Sequence, residues 1–359
     1  MSLREFRHHV GRLAIVGFSG HGVPADLRHL AAEFGLGGVI YFARNIAEPK
    51  QVRDLSREVR ELARDWPVWV SVDQEGGRVA RLKRPFTEWP PAAALGRSGS
   101  EALAARFAGA LATELLAVGI DLDYLPVLDV HTNAANPVIG DRALSARADE
   151  VARLGDVLIR RLQAGGVAAS GKHFPGHGDT SVDSHHALPV VGHERGRLDA
   201  VELLPFRRAV SAGVATIMTA HVVVPAFDPG RPATLSSAVV TDLLKQSMAY
   251  GGVVLSDDLG MKAVAATHPL GEAAVAAIEA GCDMVLLCNS TPAEQAEALE
   301  ALIHAAESGR LSRQRLDDAF ARQRETKARF RQPDRPAVPL DRVGSPEHQA
   351  LAAEMAAWL

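Results

Sequence analysis

Short apolar runs rich in Val, Ile and Leu recur along the chain, and each is followed by a longer segment whose apolar residues have helical spacing. We predict a strand in each of these runs, at 13–18, 37–42, 67–73, 120–130, 166–174, 215–224, 251–258 and 281–288. The clearest helix predictions between them lie at 51–65, 101–119, 150–166 and 235–248. Strands that are apolar throughout and alternate with helices indicate a parallel sheet buried on both faces.

Eight strands of this kind predict a closed (β/α)8 barrel of the TIM type, formed as a single α/β domain. A doubly wound open sheet is the alternative arrangement of the same elements. We assign residues 1–332 to the barrel domain. Residues 333–359 begin with a proline-rich stretch and end in an apolar helix candidate, so we expect a C-terminal extension that packs on the outside of the barrel or against a partner.

The charge of the chain argues against nucleic acid as a partner. Its 39 Lys and Arg residues are outnumbered by 43 Asp and Glu residues, for a net charge of −4. The start, MSLREFRHHV, lacks the apolar run of a signal peptide, and no uncharged apolar stretch reaches the roughly 18 residues of a membrane span. We therefore expect a cytoplasmic protein with a small-molecule ligand and no membrane partner.

Polar residues fall at the carboxyl ends of the predicted strands, where barrels of this type build their active sites. These residues are Asp73, Asp129, Lys172, His173, His221 and Asp257. A charge at such a position is costly unless a ligand or a counter-charge pairs it, so the set indicates a functional site. Simpler roles remain open, because Asp129 is better explained as a loop cap or an arginine partner, and His221 is either a core histidine or a site residue.

Two pairs of adjacent polar residues raise a question of direction. Neighbours in a strand point to opposite faces, so only one of Lys172 and His173 enters the barrel unless the chain bends there. By the same argument, one carboxylate of the pair Asp257 and Asp258 faces the barrel mouth and the other faces the helices or the following turn. A helix N-cap is the alternative role for both acids.

The loop KHFPGHGDTSVDSHHALP, residues 172–189, gathers several His and Asp side chains and favours either a transition-metal site or an acid/base apparatus. A zinc site needs three or four converging ligands, and the Phe-Pro-Gly between His173 and His177 prevents the helix that would bring these two together. Asp183 and His185 have the spacing at which a carboxylate orients a histidine and raises its pKa toward the working pH. Glycines earlier in the loop allow it to close over a substrate.

Four segments, in this order and at these separations, resemble the single-domain bacterial β-N-acetylglucosaminidases of glycoside hydrolase family 3, the cytoplasmic enzymes of peptidoglycan recycling. The segments are VDQEGGRVAR, GDRALS, KHFPGHGDTSVDSHHALP and GGVVLSDDLGM. The resemblance extends from residue 13 to residue 289. Gly260 departs from the pattern, in which serine is common, and we expect this difference to affect the turn and not the chemistry.

The resemblance implies that Asp257 is the catalytic nucleophile, which forms a covalent glycosyl–enzyme intermediate with retention of configuration. It implies that His185 is the general acid/base and that Asp183 orients it. The sugar-binding residues that it implies are Asp73, Arg81, Arg142, Lys172 and His173. Asp258 has no role in this pattern, and the pattern implies neither a metal nor a cofactor.

We therefore expect an exo-acting enzyme that hydrolyses terminal GlcNAc from GlcNAc-1,6-anhydroMurNAc peptides. Its partner would be this small saccharide substrate, a muropeptide, and its state in solution a monomer or a weak dimer. The alternatives are a β-glucosidase or a glycoside phosphorylase of the same family, a metal-dependent hydrolase, and a non-catalytic sugar-binding module.

Overall fold

Each of the eight predicted apolar runs contains one strand of a single closed parallel barrel. The structure, a computed structural model, describes residues 3–63, 66–181, 188–330 and 337–359. The barrel strands in chain order are β1 (Ala14–Gly17), β2 (Gly38–Tyr41), β3 (Trp69–Val72), β4 (Leu122–Asp123), β5 (Ala168–Phe174), β6 (Thr216–Thr219), β7 (Val253–Asp258) and β8 (Met284–Leu287). Since β1 pairs in parallel with both β2 and β8, the sheet is closed, and the predicted (β/α)8 barrel is confirmed over the open sheet.

Helices surround the barrel in alternation with the strands. They are α1 (Leu3–Gly11), α2 (Ala25–Phe34), α3 (Pro49–Glu61), α4 (Ala92–Ser98), α5 (Glu101–Ala117), α6 (Ala148–Gly165), α7 (Arg195–Ala200), α8 (Leu204–Ser211), α9 (Lys262–Ala265), α10 (Leu270–Ala280), α11 (Pro292–Glu307), α12 (Arg313–Phe330) and α13 (Pro346–Ala356). The helix predicted at 235–248 is present over Ala238–Ser247 as a π-helix. An apolar pattern of ten residues is too short to distinguish a π-helix from an α-helix.

Two of the strands end well before their predicted apolar runs do. β4 pairs over Leu122–Asp123 only, followed by an isolated bridge from Val127 to Lys172, because Pro126 between them has no N–H to donate. Beyond β6, the residues Val223–Val224 leave the barrel and form a hairpin with Asp228–Pro232. A second hairpin, Gln74–Gly76 with Val79–Ala80, follows β3 and rises over the barrel mouth.

The core has an inner and an outer part because the strands are buried on both faces. Side chains from all eight strands fill the barrel interior, among them Ile15, Ile40, Trp69, Leu122, Ala168, Met218, Leu255 and Leu286. A larger apolar cluster fills the space between the strands and the helices. On β5, the inward positions continue from Ala168 through Ser170 to Lys172, so the filling changes from apolar to charged toward the carboxyl end.

The described part of the C-terminal segment packs on the helix layer. Helix α13 contacts α4 and α5, and the buried Glu114 of α5 accepts hydrogen bonds from the Gly344 N–H at 3.0 Å and from His348 Nδ1 at 2.8 Å. The proposed boundary at 332/333 falls within 331–336, outside the described residues. In the described part of the chain, no helix has the length and apolar character needed to cross a membrane.

Candidate active site

A cavity of about 290 Å³ opens at the carboxyl ends of the barrel strands, and we call it the mouth cavity. Every catalytic or sugar-binding residue implied by the family resemblance lines it, among the residues that the structure describes. These residues are Asp73, Arg81, Arg142, Lys172, His173 and Asp257. Asp183 and His185, the predicted acid/base pair, lie outside the described residues, as does His186.

Lys172 stands at the centre of a buried ion-pair cluster in the cavity wall. Its Nζ lies 2.7 Å from Asp73 Oδ1 and 2.6 Å from Glu75 Oε1. The Arg142 guanidinium donates from Nε and Nη2 to the two oxygens of Glu75, both at 2.8 Å. Burial disfavours all of these charges, and only the mutual contacts allow them to remain ionised.

The pKa values within this cluster follow from that balance. Burial raises the pKa of Glu75, but the charges and hydrogen bonds of Arg142 and Lys172 outweigh it and hold the pKa well below its usual range. Burial lowers the pKa of Lys172, and the charges of Asp73 and Glu75 more than reverse this. Lys172 is therefore a cation and Glu75 an anion at neutral pH, which makes the wall a set of fixed donors and acceptors for hydroxyl groups.

Glu75 was not predicted as a site residue, although the sequence contains a signal for it. Asp73 and Glu75 are two residues apart in an extended segment, and such residues point to the same side of the chain. Both carboxylates consequently reach Lys172. A pair of acids at this spacing, next to a strand end already assigned to the site, would have been sufficient to include Glu75.

Arg81 has unused hydrogen-bonding capacity in the cavity. Its Nη2 lies 3.4 Å from Asp73 Oδ2, a long contact for a hydrogen bond. Its Nε is buried and has no hydrogen-bond partner among the described residues. The guanidinium lies 5.4 Å from the ring centre of Phe42, which supports its flat face. An unsatisfied buried donor in a cavity wall is a site for a ligand oxygen.

His173 is oriented by Asp129, which is fully buried at the end of the β4 segment. The Asp129 carboxylate accepts from His173 Nδ1 at 2.7 Å and from the backbone N–H groups of His173 and His177, at 3.2 and 2.6 Å. Burial raises the pKa of Asp129, but the His173 and His177 contacts lower it below its ordinary value. Of the two simpler roles expected for Asp129, the structure has the loop cap, through these backbone N–H groups, and not the arginine partner. The Nδ1 contact leaves Nε2 as the ring nitrogen of His173 available to a ligand.

Lys172 and His173 both line the cavity, although they are neighbours on one strand. The pairing of β5 with β6 shifts register between Gly171 and Phe174, so the regular alternation of side chains is interrupted there. The bend that both residues require for a common site is thus present.

The two adjacent acids on β7 both border the mouth cavity, so the prediction that only one of them faces it was wrong, and they differ instead in their hydrogen-bond partners. Asp257 faces the mouth cavity, and its Oδ1 accepts from the Asp258 N–H at 2.8 Å. Asp258 turns to β8, where its Oδ1 accepts from the backbone N–H of Cys288 at 3.0 Å and its Oδ2 from Asn289 Nδ2 at 3.0 Å. Asp258 thereby connects the ends of β7 and β8.

The surroundings shift the pKa values of these two acids in opposite directions. Burial raises the pKa of Asp257, but the nearby imidazoles of His221 and His173 and the N–H of Asp258 bring the pKa below its ordinary value. Burial also raises the pKa of Asp258, and there the backbone N–H groups of Cys288 and Gly260 do not offset it. Asp257 is thus an ionised carboxylate exposed to the cavity, which is the form of a carboxylate nucleophile.

His221 is a hydrogen-bonded core residue. It is fully buried, with Nε2 donating to the carbonyl oxygen of Asp258 at 3.0 Å and Nδ1 lying 2.8 Å from Thr234 Oγ1. Of the two roles left open for it, the structure has the structural one. It also lies close enough to the site to contribute to the lowered pKa of Asp257.

The ring nitrogens of His173 and His177 that face the protein are both engaged. Asp129 binds Nδ1 of His173, and Thr180 Oγ1 lies 2.7 Å from Nδ1 of His177. The two ring centres are 6.1 Å apart. In the segments that the structure describes, no three His, Cys, Asp or Glu side chains converge as metal ligands would.

The residues that flank the predicted acid/base segment are fixed on both sides. Before it, Asp179 accepts from Thr132 Oγ1 at 2.6 Å and makes a short contact with His193 Nε2, which lies after it. The later flank also pairs with the hairpin beyond β6, since Val191 donates to the carbonyl of Val223 at 2.8 Å. The residues directly before and after this segment are therefore held in place by contacts. The flank before it contributes His177 to the mouth cavity.

Comparison with known proteins agrees with this geometry. Residues 6–324 match the glycosyl hydrolase family 3 N terminal domain. The beta-hexosaminidase of Alkalilimnicola ehrlichii is 41% identical over 281 residues, which are 77% of this chain and 80% of that protein.

Two solved structures share the fold over nearly the whole chain. A glycoside hydrolase family 3 beta-N-acetylglucosaminidase from Paenibacillus sp. str. FPU-7 superposes with a TM-score of 0.95 and 44% identity, covering 100% of this chain and 69% of that one. NagZ from Neisseria gonorrhoeae in complex with N-trifluoroacetyl-D-glucosamine gives a TM-score of 0.78 and 31% identity, covering 96% and 97%. The predicted family resemblance is confirmed, and this chain belongs to glycosyl hydrolase family 3 as a glycoside hydrolase of the β-N-acetylhexosaminidase type.

Proposed function

We propose that this protein is an exo-acting, retaining β-N-acetylglucosaminidase that removes terminal GlcNAc from GlcNAc-1,6-anhydroMurNAc peptides during peptidoglycan recycling in the cytoplasm. The observation that carries the proposal is the ionised Asp257 carboxylate, which faces a cavity of about 290 Å³ walled by charged hydrogen-bonding groups. The similarity to beta-hexosaminidases supports the choice of an N-acetylhexosamine.

The size and lining of the mouth cavity support exo action on a single sugar. A volume of about 290 Å³ is at the low end of the range for small-molecule sites and suits one saccharide ring better than two. The hydroxyl groups of that ring would pair with Asp73, Lys172 and Arg142, and the free Nε of Arg81 would take a further oxygen. Such groups bind a substrate with matching hydroxyls more tightly than one that lacks them, because they would otherwise be buried without partners.

The first chemical step uses Asp257 as the nucleophile. One carboxylate oxygen attacks the anomeric carbon while the bond from that carbon to the leaving oxygen breaks, and its electron pair leaves with that oxygen. A proton from His185 neutralises the departing oxygen, and the sugar remains as an ester of Asp257. In the second step His185 accepts a proton from water, and the water oxygen attacks the anomeric carbon while the bond from that carbon to Asp257 breaks. Its electron pair returns to the Asp257 carboxylate, and GlcNAc is released with its original configuration.

The assignment of His185 as acid/base and Asp183 as its orienting partner rests on the family pattern, since both lie outside the described residues. It is supported by the flanks of that segment, which are bound at Asp179 and His193 and reach the cavity at His177. The proposed chemistry uses no metal and no cofactor. A monomer or a weak dimer would suffice, because all the proposed residues belong to one chain.

Trapping of the covalent intermediate tests this proposal. A 5-fluoro GlcNAc donor with a good leaving group should label the protein once, and peptide mapping should place the label on Asp257. A label on another residue, or steady turnover without any adduct, would contradict the nucleophile assignment. Rates of aryl GlcNAc and aryl glucoside hydrolysis, each with and without inorganic phosphate, separate the proposed activity from a β-glucosidase and from a phosphorylase.

A further inference from the structure

A small cavity, of about 50 Å³, lies at the amino-terminal end of the barrel, opposite the mouth cavity, and we call it the lower cavity. Trp69 begins β3, Asp121 directly precedes β4, and both line this cavity. Helix α12 contributes Lys327 and Phe330 to it. One water needs about 10–15 Å³ of such space, so the lower cavity has room for one ligand of a few non-hydrogen atoms. None of the residues that line it has a role in the proposed chemistry.

Lys327 is a buried amine that lacks a counter-charge. The residue is 2% exposed, and its Nζ donates one hydrogen bond, to the carbonyl oxygen of Gly37 at 2.8 Å. The same atom lies 5.2 Å from the ring centre of Trp66 and 5.6 Å from that of Trp69. An ammonium group has three N–H bonds, so two of them have no acceptor among the described residues. No carboxylate of the described chain forms an ion pair with it.

The surroundings of Lys327 do not supply the missing negative charge. The Asp121 carboxylate lines the cavity, but it already pairs with Arg60 at 3.0 Å and accepts from the Val70 N–H at 2.9 Å. Burial lowers the pKa of Lys327 well below its usual range, the charge of Asp121 opposes this change, and the charge of Arg12 adds to it. An anion bound beside Nζ would therefore stabilise the ammonium form.

Two more hydrogen-bond donors belong to side chains that line the lower cavity. The indole Nε1 atoms of Trp66 and Trp69 are buried, and neither has a hydrogen-bond partner in the part of the chain that the structure describes. Buried polar groups without a partner are rare, because their desolvation is not compensated. An indole N–H donates and cannot accept, so a group that satisfies both tryptophans must be an acceptor.

We infer that the lower cavity binds one small carboxylate, of the size of acetate. Its negative charge would pair with the Lys327 ammonium, and its two oxygens would accept from the remaining N–H bonds of the lysine and from the indoles. Its short apolar part would contact Phe330 and Pro67, which line the same space. A ligand that binds only the folded protein stabilises it, so the site acts on the stability of the barrel and not on hydrolysis.

The indole N–H signals in the NMR spectrum of ¹⁵N-labelled protein test the inference, because the chain contains four tryptophans and two of them serve as internal controls. Sodium acetate replacing sodium chloride at constant ionic strength and neutral pH should shift the signals of Trp66 and Trp69 along one saturating curve. The signals of Trp89, which packs on Phe107, and of the half-exposed Trp358 should stay in place. Single Trp→Phe variants assign the four signals.

Lys327→Met removes the charge but keeps an unbranched side chain, and it should weaken acetate binding at least roughly 10-fold. Trp69→Phe keeps the aromatic ring and should weaken binding about 3-fold, which tests the site even if Lys327→Met does not fold. Lys50→Met is the matched control, because Lys50 is an exposed lysine that pairs with Asp54 at 2.6 Å.

Three results would overturn the inference. The first is a spectrum in which acetate produces no saturating shift or moves all four indole signals together. The second is acetate binding by folded Lys327→Met or Trp69→Phe that equals binding by wild-type protein. The third is an equal shift of Trp66 and Trp69 when chloride is raised without acetate, which would assign the lower cavity to a halide and not to a carboxylate.

Discussion

Glu75 and Arg142 form a two-point ion pair beneath the mouth cavity, with Nε and Nη2 of the arginine each 2.8 Å from one carboxylate oxygen. Both side chains are almost fully buried. The same carboxylate binds Lys172, so one acid fixes two of the cations that wall the site. Recognition of the substrate therefore depends on a residue that lies behind the wall and does not itself line the cavity.

The variant Glu75→Gln should be destabilised and should bind substrate weakly. It leaves the Arg142 guanidinium buried without its counter-charge, a change that costs about 3 kcal/mol in the free energy of unfolding for comparable buried pairs. Urea denaturation measures this loss, and titration with GlcNAc measures binding. Glu88→Gln, which removes a surface pair with Arg84, should change neither quantity appreciably. Unchanged stability in Glu75→Gln would show that the pair contributes little.

The neighbours Asp257 and Asp258 should respond very differently to substitution. Asp257→Ala should lower kcat by at least roughly 1,000-fold with the fold intact, because it removes the attacking group. Asp258→Asn should retain most activity, since the amide oxygen can still accept from Cys288 and Gly260. Steady-state kinetics together with thermal unfolding make the comparison, and retained turnover in Asp257→Ala would contradict its role.

The lowered pKa of Asp257 predicts how the rate of its reaction depends on pH. The group loses its charge only below its ordinary value of 3.8, so the carboxylate should remain ionised throughout the range in which histidines titrate. Inactivation by a 5-fluoro GlcNAc donor with a good leaving group needs no acid catalyst and reports this charge directly. Its rate should stay flat from about pH 7 to about pH 4.5 as far as Asp257 is concerned. An inflection within that range, present in wild-type protein and unchanged in His185→Gly, would show that burial outweighs the neighbouring charges.

The barrel could be predicted from the sequence because its signal is local. A strand that is buried on both faces is apolar at every position, and this pattern can be recognised in each strand separately. The directions of Asp257 and Asp258 were not predictable from alternation, because the pairing of β7 with β8 shifts register between Leu255 and Asp258 and both acids border the mouth cavity. The shortening of β4 at Pro126 follows from the same local chemistry, although the apolar pattern alone runs past it.

Partnerships between distant residues could not be predicted in this way. The orientation of His173 by Asp129 joins positions 44 residues apart, and the contact between Glu114 and His348 joins positions 234 apart. The expectation for Asp129 was a loop cap or an arginine partner, and nothing in the sequence indicated that it also orients His173. Local periodicity contains no information about which strand ends meet, and only the closed barrel brings these residues together.

The variant His185→Gly should lose activity in proportion to how much the leaving group needs a proton. A natural disaccharide leaves as an alkoxide and depends on the acid, whereas an activated aryl group leaves readily without it, so kcat/KM should fall at least about 10-fold more for the disaccharide. His186→Gly is the matched control, because it removes the adjacent imidazole from the same loop and should reduce both rates little. Steady-state kinetics with the two substrates measure the ratio. Equal losses on both substrates in His185→Gly would assign the residue to binding or folding, and a larger effect in His186→Gly would move the acid/base role to the neighbouring histidine.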